Sequence, residues 1–309
     1  LPLFVTPKPI LKLLNIKSGI DEKAYQFFLK TTQHIIRQRK AEKNNHKKYN
    51  DFIQLLVDAE NHKEELHDEN DVNEAHHVNQ GAEELEMERK TLSANFLNKQ
   101  LTESEIMAQG YVIFAAGYET TATTLTFCSY ELALNPSVQE RLYEEVEAAV
   151  DADGEISYED LAKLPFLDAV LSETLRKYPP IIKLQRKAMA DYKLGDTGIQ
   201  LFKSQDVEIP VYAIHHSEEY YPQPEKFIPD RFLPENRHKI TPYTYIPFGA
   251  GPRNCIGMRF ALMEAKLGLV QIVRRYRFFR SPQTAVPLEF KPITLLCSPK
   301  SVIIGIEKR

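Results

Sequence analysis

Apolar positions recur at helical spacing along most of the chain, and short alternating runs interrupt them past its middle. Ala24, Phe27, Phe28, Thr31, Ile35 and Ile36 share one face of a helix predicted over residues 21–40, whose basic end from Arg37 to Lys40 suits a helix C-terminus. Residues 51–59 predict a shorter helix with Phe52, Leu55 and Leu56 inward. A long helix is predicted over 101–134, opened by a capping box at Thr102 and Glu105 and closed by Asn135-Pro136. Further helices follow over 137–150, from Ser157, and over 167–177, the last ending at Pro179-Pro180. Period-two runs at 192–194, 199–202 and 207–214 predict a small sheet with turns at Gly195 and Gly198. A Pro- and Tyr-rich meander fills 215–246, a long helix 258–275, and a terminal hairpin 288–307 that turns near Ser298-Pro299-Lys300. The fold class is mainly α with small β-sheets.

The pattern fails between residues 58 and 100. Acids crowd 58–90, aromatics vanish, and the stretch reads as a polar acidic insert. His62, His67, His76 and His77 lie among its carboxylates, but no cysteine or fixed local structure accompanies them, so a loop is the better reading than a metal site. Residues 1–19 are apolar and broken by Pro2, Pro7 and Pro9. They read either as a core segment or as a surface that enters a membrane interface through Leu1, Leu3, Phe4, Ile10, Leu11, Leu13 and Leu14. No apolar run is long enough to span a bilayer. Because the chain opens on Leu1 within this stretch, it reads as a piece of something longer.

Composition narrows the function classes. The 309 residues are 43% hydrophobic and 27% charged, ordinary for a soluble fold with a sizeable core. A formal net charge of −4 excludes an ordinary nucleic-acid binder. The 3 cysteines, Cys128, Cys255 and Cys297, contain no CxxC pair. A disulfide framework and a common structural zinc site are thereby excluded, and a reducing compartment fits.

The chemistry concentrates in residues 247–257. Cys255 sits among glycines just ahead of a predicted helix, where free N–H groups favour a thiolate. Gly249 and Gly251 permit backbone that a side chain would forbid, Gly257 leaves room beyond the sulfur, and Arg253 offers a charged fork to a carboxylate. A second unusual stretch is Ala115-Ala116-Gly117-Tyr118-Glu119-Thr120-Thr121, in the middle of the long helix. Gly117 costs about 1 kcal/mol there relative to alanine. Threonine hydroxyls can take helix carbonyls and bend or widen the helix into a groove for dioxygen and a water. Glu173 and Arg176 share a helix face, a signal that is weak alone.

Phe248-x-x-Gly251-x-Arg253-x-Cys255-x-Gly257 resembles the heme-binding loop of the cytochrome P450 monooxygenases, in which the cysteine is the thiolate on heme iron. Residues 116–121 are similar to that family's oxygen-activating helix, Glu173-x-x-Arg176 to its Glu-x-x-Arg motif, and Pro229-Asp230-Arg231-Phe232 to the segment that completes it. The likeness is to the animal microsomal clan of drug-oxidising enzymes and thromboxane synthase. It implies one P450 domain over 1–309 lacking its N-terminal part, with the membrane anchor, early helices and a Trp-bearing heme-contact helix missing. It implies heme b held by Cys255, Arg253, Arg186, Phe248, Gly249, Gly257, Ala116 and Gly117. Thr120 and Glu119 are then catalytic, Glu173, Arg176 and Arg231 are scaffold, and Ile181, Ile182 and Lys183 face the substrate pocket. The implied reaction inserts one atom of O2 into a hydrophobic small molecule, a xenobiotic, steroid or fatty-acid-like compound. Electrons come from NADPH through cytochrome P450 reductase, with cytochrome b5 as a further donor, on the cytosolic face of the endoplasmic reticulum membrane. Arg259, Lys266, Arg274, Arg275 and Arg277 are expected to help form the reductase-docking face. A heme-thiolate isomerase or dehydratase of the same fold, a heme-binding sensor or carrier, and an inert fragment remain as alternatives.

Overall fold

A computed structural model describes residues 22–42, 49, 51–59, 101–151, 153–292 and 296–309. The apolar opening, the acidic stretch 60–100 and the histidines within it lie outside the described residues. The described residues divide into two compact units, one ending at residue 116 and the other beginning at residue 117.

The first unit contains helix α1 (Glu22–Glu42), α2 (Phe52–Ala59) and the first half of α3 (Glu103–Leu134). Ile36, Leu56, Val57 and Ile106 form its core. The buried seam is rotated from the predicted one. Thr32 and Ile36 are inward on α1 while Phe27 stays exposed, and on α2 Val57 is inward while Leu55 faces out. Close packing of Thr32 against α3 accounts for part of this, because a Cβ on Gly110 would lie 2.6 Å from Thr32 Cγ2. The capping box is formed: Thr102 N–H donates to Glu105 Oε2 at 2.8 Å, and Glu105 N–H to Thr102 Oγ1 at 3.3 Å.

The second unit continues α3 into α4 (Pro136–Ala149), α5 (Tyr158–Leu161), α6 (Pro165–Lys177), α7 (Val211–His215) and α8 (Met258–Val273). Three antiparallel ladders accompany them among the described residues. β1 (Leu184–Lys187) pairs β4 (Asp206–Ile209), β2 (Tyr192–Lys193) pairs β3 (Gln200–Leu201), and β5 (Tyr276–Phe279) pairs β6 (Gly305–Lys308). The fold is therefore mainly α with small sheets, as the pattern predicted. At its centre α6 is buried from Phe166 through Arg176, packed with apolar side chains of α3, α4, α8 and the meander. A helix buried all round must satisfy its polar groups internally.

Several expectations are corrected by the packing. α6 begins at Pro165 rather than 167, because proline occupies its first turn and the Glu145 carboxylate of α4 accepts the Phe166 and Leu167 N–H groups, each at 2.8 Å. The polar face of α4 is thus structural at Glu145. Arg141 pairs with Asp230 at 2.7 Å. Gln139 is buried and donates to Phe278 O at 2.9 Å while accepting Phe278 N–H at 2.7 Å. Residues 211–215 form a helical turn instead of extending the strand, since Pro210 cannot continue a ladder. The hairpin near the C-terminus reverses before Ser298: Lys291 N–H donates to Ser298 O at 2.9 Å, and Lys300 N–H to Glu289 O at 2.7 Å. The final strand pairs with β5, not within the hairpin.

Candidate functional site

The site is built outward from α6. Glu173 and Arg176 are fully buried, three residues apart on one helix face. Arg176 Nε and Nη2 donate to the two Glu173 oxygens at 2.7 and 2.9 Å, a bidentate fork. The rest of the guanidinium reaches the next layer: Nη1 donates to His215 O at 2.9 Å and Nη2 to Pro224 O at 2.8 Å. Ile228 N–H donates to Glu173 Oε1 at 2.9 Å, and Arg231 Nε lies 3.5 Å from the same oxygen. Burial raises the Glu173 carboxyl above its ordinary value, while Arg176, the Ile228 N–H and Arg231 pull it down. One ion pair thus collects the meander onto α6.

Sequence reading overlooked His215, which the fold buries beside this cluster. Ile246 N–H donates to its Nε2 at 3.0 Å, and its Nδ1 lies 3.1 Å from Arg176 O. Burial pushes the imidazole down to about 3. Its only sequence signal is the His215-His216 pair in a polar stretch, which does not say which ring turns inward. Glu131 was overlooked likewise. It is buried near the end of α3 and accepts from Tyr178 Oη at 2.5 Å and Lys177 Nζ at 2.8 Å.

The cysteine loop follows directly. Gly249 N–H donates to Ile246 O at 3.0 Å, and Cys255 N–H to Phe248 O at 2.8 Å, closing the loop across a short 3₁₀ turn, Gly251–Arg253. Gly249 and Gly251 have φ of +77° and +74°, the left-handed region that glycine enters without strain. Met258 opens α8 three residues beyond the sulfur, with Gly257 at the helix N-cap. Of the three cysteines only Cys255 is exposed; burial pushes Cys128 up to about 12 and Cys297 up to about 11. Arg253 is exposed beside it. Ile256 and Phe260 flank the thiol with 87% and 63% of their surfaces uncovered.

A shallow cleft, open to solvent, lies beside the loop. Thr120, Thr121 and Thr124 of α3 line one side, Leu171, Leu175 and Pro180 another, and Phe248 with Ala261 and Leu262 the rest. Thr124 Oγ1 donates to Thr120 O at 2.9 Å, yet α3 remains a continuous α-helix. The threonines therefore line the cleft without breaking the helix. Thr121 Oγ1 is buried and has no hydrogen-bond partner among the described residues. A Cβ at Gly117 or Gly257 would meet nothing within 4 Å. An exposed thiol, uncovered apolar neighbours, open space at two glycines and an unsatisfied hydroxyl fit a flat, largely apolar cofactor whose iron takes a thiolate.

The other candidate residues fall as follows. Ala116 and Glu119 are exposed on α3. Arg186 shares a face of β1 with Leu184, whose Cδ1 lies 3.7 Å from a Cβ built on Gly249. That face is turned toward the cysteine loop, and Arg186 Nη1 donates to Gln185 O at 2.9 Å. Ile181 bridges Leu296, and Ile182 O accepts the Tyr212 N–H at 3.0 Å. Lys183 is engaged by Glu208 at 2.6 Å across the β1–β4 ladder. Lys266 does not belong to an exposed docking face: only 8% exposed, it is held by Asp168 at 2.5 Å, because its α8 face packs on α6. Arg274 is drawn to Glu147 and the Gly154 carbonyl, whereas Arg259, Arg275 and Arg277 are exposed. Among the described residues no cluster of His, Cys, Asp and Glu could hold a bare metal ion, and no helix is long and apolar enough to cross a membrane.

Comparison with known proteins adds an independent line. Residues 73–306 match the family model described as Cytochrome P450. The chain is 42% identical over 303 residues to Probable cytochrome P450 6a14 of Drosophila melanogaster, covering 97% of this chain and 54% of that protein. It is 35% identical over 301 residues to Cytochrome P450 3A7 of Homo sapiens, covering 97% and 53%. The chain thus spans about half the length of the curated relatives it matches.

Proposed function

Since the chain belongs to the cytochrome P450 family, we propose that it supplies the iron-ligand and proton-handling part of a heme-thiolate monooxygenase acting on hydrophobic small molecules. The observation that carries this reading is the position of the one exposed thiol. Cys255 is hydrogen-bonded through its N–H to Phe248, a wall of the threonine-lined cleft, and stands at the start of α8. Heme b, when bound, would supply the activation of O2, and a thiolate ligand from Cys255 would favour O–O cleavage.

The chain's own residues would do the rest. Cys255 Sγ would hold the iron, from the exposed position that the loop gives it ahead of α8. Arg253 and Arg186 hold the cofactor's carboxylates as fixed cations. Thr120 Oγ1 passes protons within the cleft, and Glu119, exposed one residue earlier, draws them from solvent. Ile181 and Ile182 exclude water from the substrate's side, and Lys183 flanks them. We place the working protein on the cytosolic face of the endoplasmic reticulum membrane, with electrons arriving from NADPH through a reductase and cytochrome b5 as a further donor.

The test is spectroscopic. Residues 1–309 are mixed with heme, reduced with dithionite and exposed to carbon monoxide. The expected result is the strongly red-shifted Soret band of thiolate ligation, lost in Cys255→Ser. A histidine-like band in the unsubstituted chain, or a red-shifted band that survives the substitution, would overturn the assignment. Thr120→Ala should keep that band but lower product formation by about a hundredfold, the ordinary contribution of a positioned proton donor.

A further inference from the structure

The chain that enters the cysteine loop is held at Ile246 by an imidazole. His215, at the end of α7, has no exposed surface. Ile246 offers its Nε2 a backbone N–H at 3.0 Å, so that nitrogen must be an acceptor. Nδ1 therefore carries the proton and donates to Arg176 O at 3.1 Å. The carbonyl of His215 in turn accepts from Arg176 Nη1 at 2.9 Å. The two bonds with Arg176 close a ring between α6 and α7, and the Nε2 bond ties Ile246 to it.

What makes the ring more than packing is where Ile246 leads. Its carbonyl accepts the Gly249 N–H at 3.0 Å and so shapes the left-handed turn, and the carbonyl of Phe248, inside that turn, accepts the Cys255 N–H at 2.8 Å. The path from imidazole to thiol is a short succession of backbone bonds. The ring itself is fixed between Tyr245, stacked at 5.7 Å between centroids, and Tyr221, edge-on at 6.4 Å. Neither the Glu173–Arg176 fork nor the glycines alone sets this register, since neither touches Ile246 N–H among the bonds described.

We propose that His215 is a positioning residue for the iron ligand: as the neutral Nδ1–H tautomer it fixes Ile246 and thereby the geometry in which the loop presents Cys255. The proposal rests on the reading of Cys255 as the heme thiolate and deepens it. His215 touches neither cofactor nor substrate.

Two substitutions separate positioning from mere stability. In His215→Gln the amide oxygen can stand near Nε2 and still accept the Ile246 N–H. In His215→Asn the shorter amide can stand near Nδ1, keeping the bond to Arg176 O and losing the one to the loop. Each loses one buried hydrogen bond, so similar losses of stability are expected. Only His215→Asn should convert the carbon monoxide band from the thiolate to the histidine-like position. In the heme-free chain it should also change the alkylation rate of Cys255 by about tenfold, with Gln close to the unsubstituted chain. Equal bands and equal alkylation rates in both variants would overturn the proposal. Should both variants fail to fold, nitrogen-15 NMR of the imidazole in the unsubstituted chain decides. An Nδ1–H tautomer with a slowly exchanging Ile246 amide supports the proposal, and an Nε2–H tautomer overturns it. Failure of the underlying reading is distinct, because Cys255→Ser would then leave the band unchanged in the unsubstituted background.

Discussion

Cys255 should be the one thiol that iodoacetamide modifies in the native chain. Cys128 and Cys297 are buried, with their thiols pushed up by burial, and the thiolate is the reacting form. Mass spectrometry after a short pulse should find a single alkylated site, protected by prior addition of heme. Modification spread over all three cysteines would contradict the burial described. The ion pair on α6 gives a second expectation. Glu173→Ala leaves Arg176 buried without its carboxylate and should cost roughly 3–5 kcal/mol in urea unfolding. Arg176→Lys should be nearly as damaging, because an ammonium cannot span both Glu173 oxygens and the carbonyls of His215 and Pro224. The pairing of Glu173 with Arg176 and the left-handed glycines around Cys255 could be read in the sequence, because residue type and spacing place them. His215 could not, since its role is defined by Ile246 and Arg176, which lie 31 and 39 residues away.

Helix α6 illustrates what periodicity can and cannot disclose. Apolar spacing located it, along with α1, α3, α4 and α8, to within a few residues. Its true start depended on Glu145, a carboxylate from another helix that no local pattern assigns to capping. Glu145→Ala removes the acceptor of two backbone N–H groups at a buried helix end and should cost about 1–2 kcal/mol, read by chemical denaturation. Glu145→Gln should recover part of that loss by keeping an oxygen in place. The misread strand at 207–214 has the same origin. Val211 to His215 are as compatible with a strand as with a helical turn, and Pro210 decides the matter by ending the β1–β4 ladder. The centre of α3, from Phe114 to Glu119, is the other departure from pattern, since every residue in it is exposed.

Acid should weaken the second unit before carboxylate chemistry alone would. His215 titrates near 6.5 when unfolded and at about 3 when folded, since burial and the neighbouring charge of Arg176 disfavour the imidazolium. The unfolded chain therefore binds the proton more tightly. The stability linked to this group is complete above about pH 6.5 and declines by about 1.4 kcal/mol per pH unit as pH falls toward 3. Urea midpoints measured across that window should show the slope, and His215→Gln should flatten it. Gln139 has a consequence of another kind. Its amide gives Phe278 both a donor and an acceptor, as a neighbouring strand would, across a separation of 139 residues. Closing so long a loop costs on the order of 4 kcal/mol of chain entropy, and we therefore expect β5 to gain this partner after the helices have assembled. The C-terminal strands would then dock late in folding. Gln139→Leu should accelerate unfolding in a stopped-flow experiment while leaving the refolding rate almost untouched.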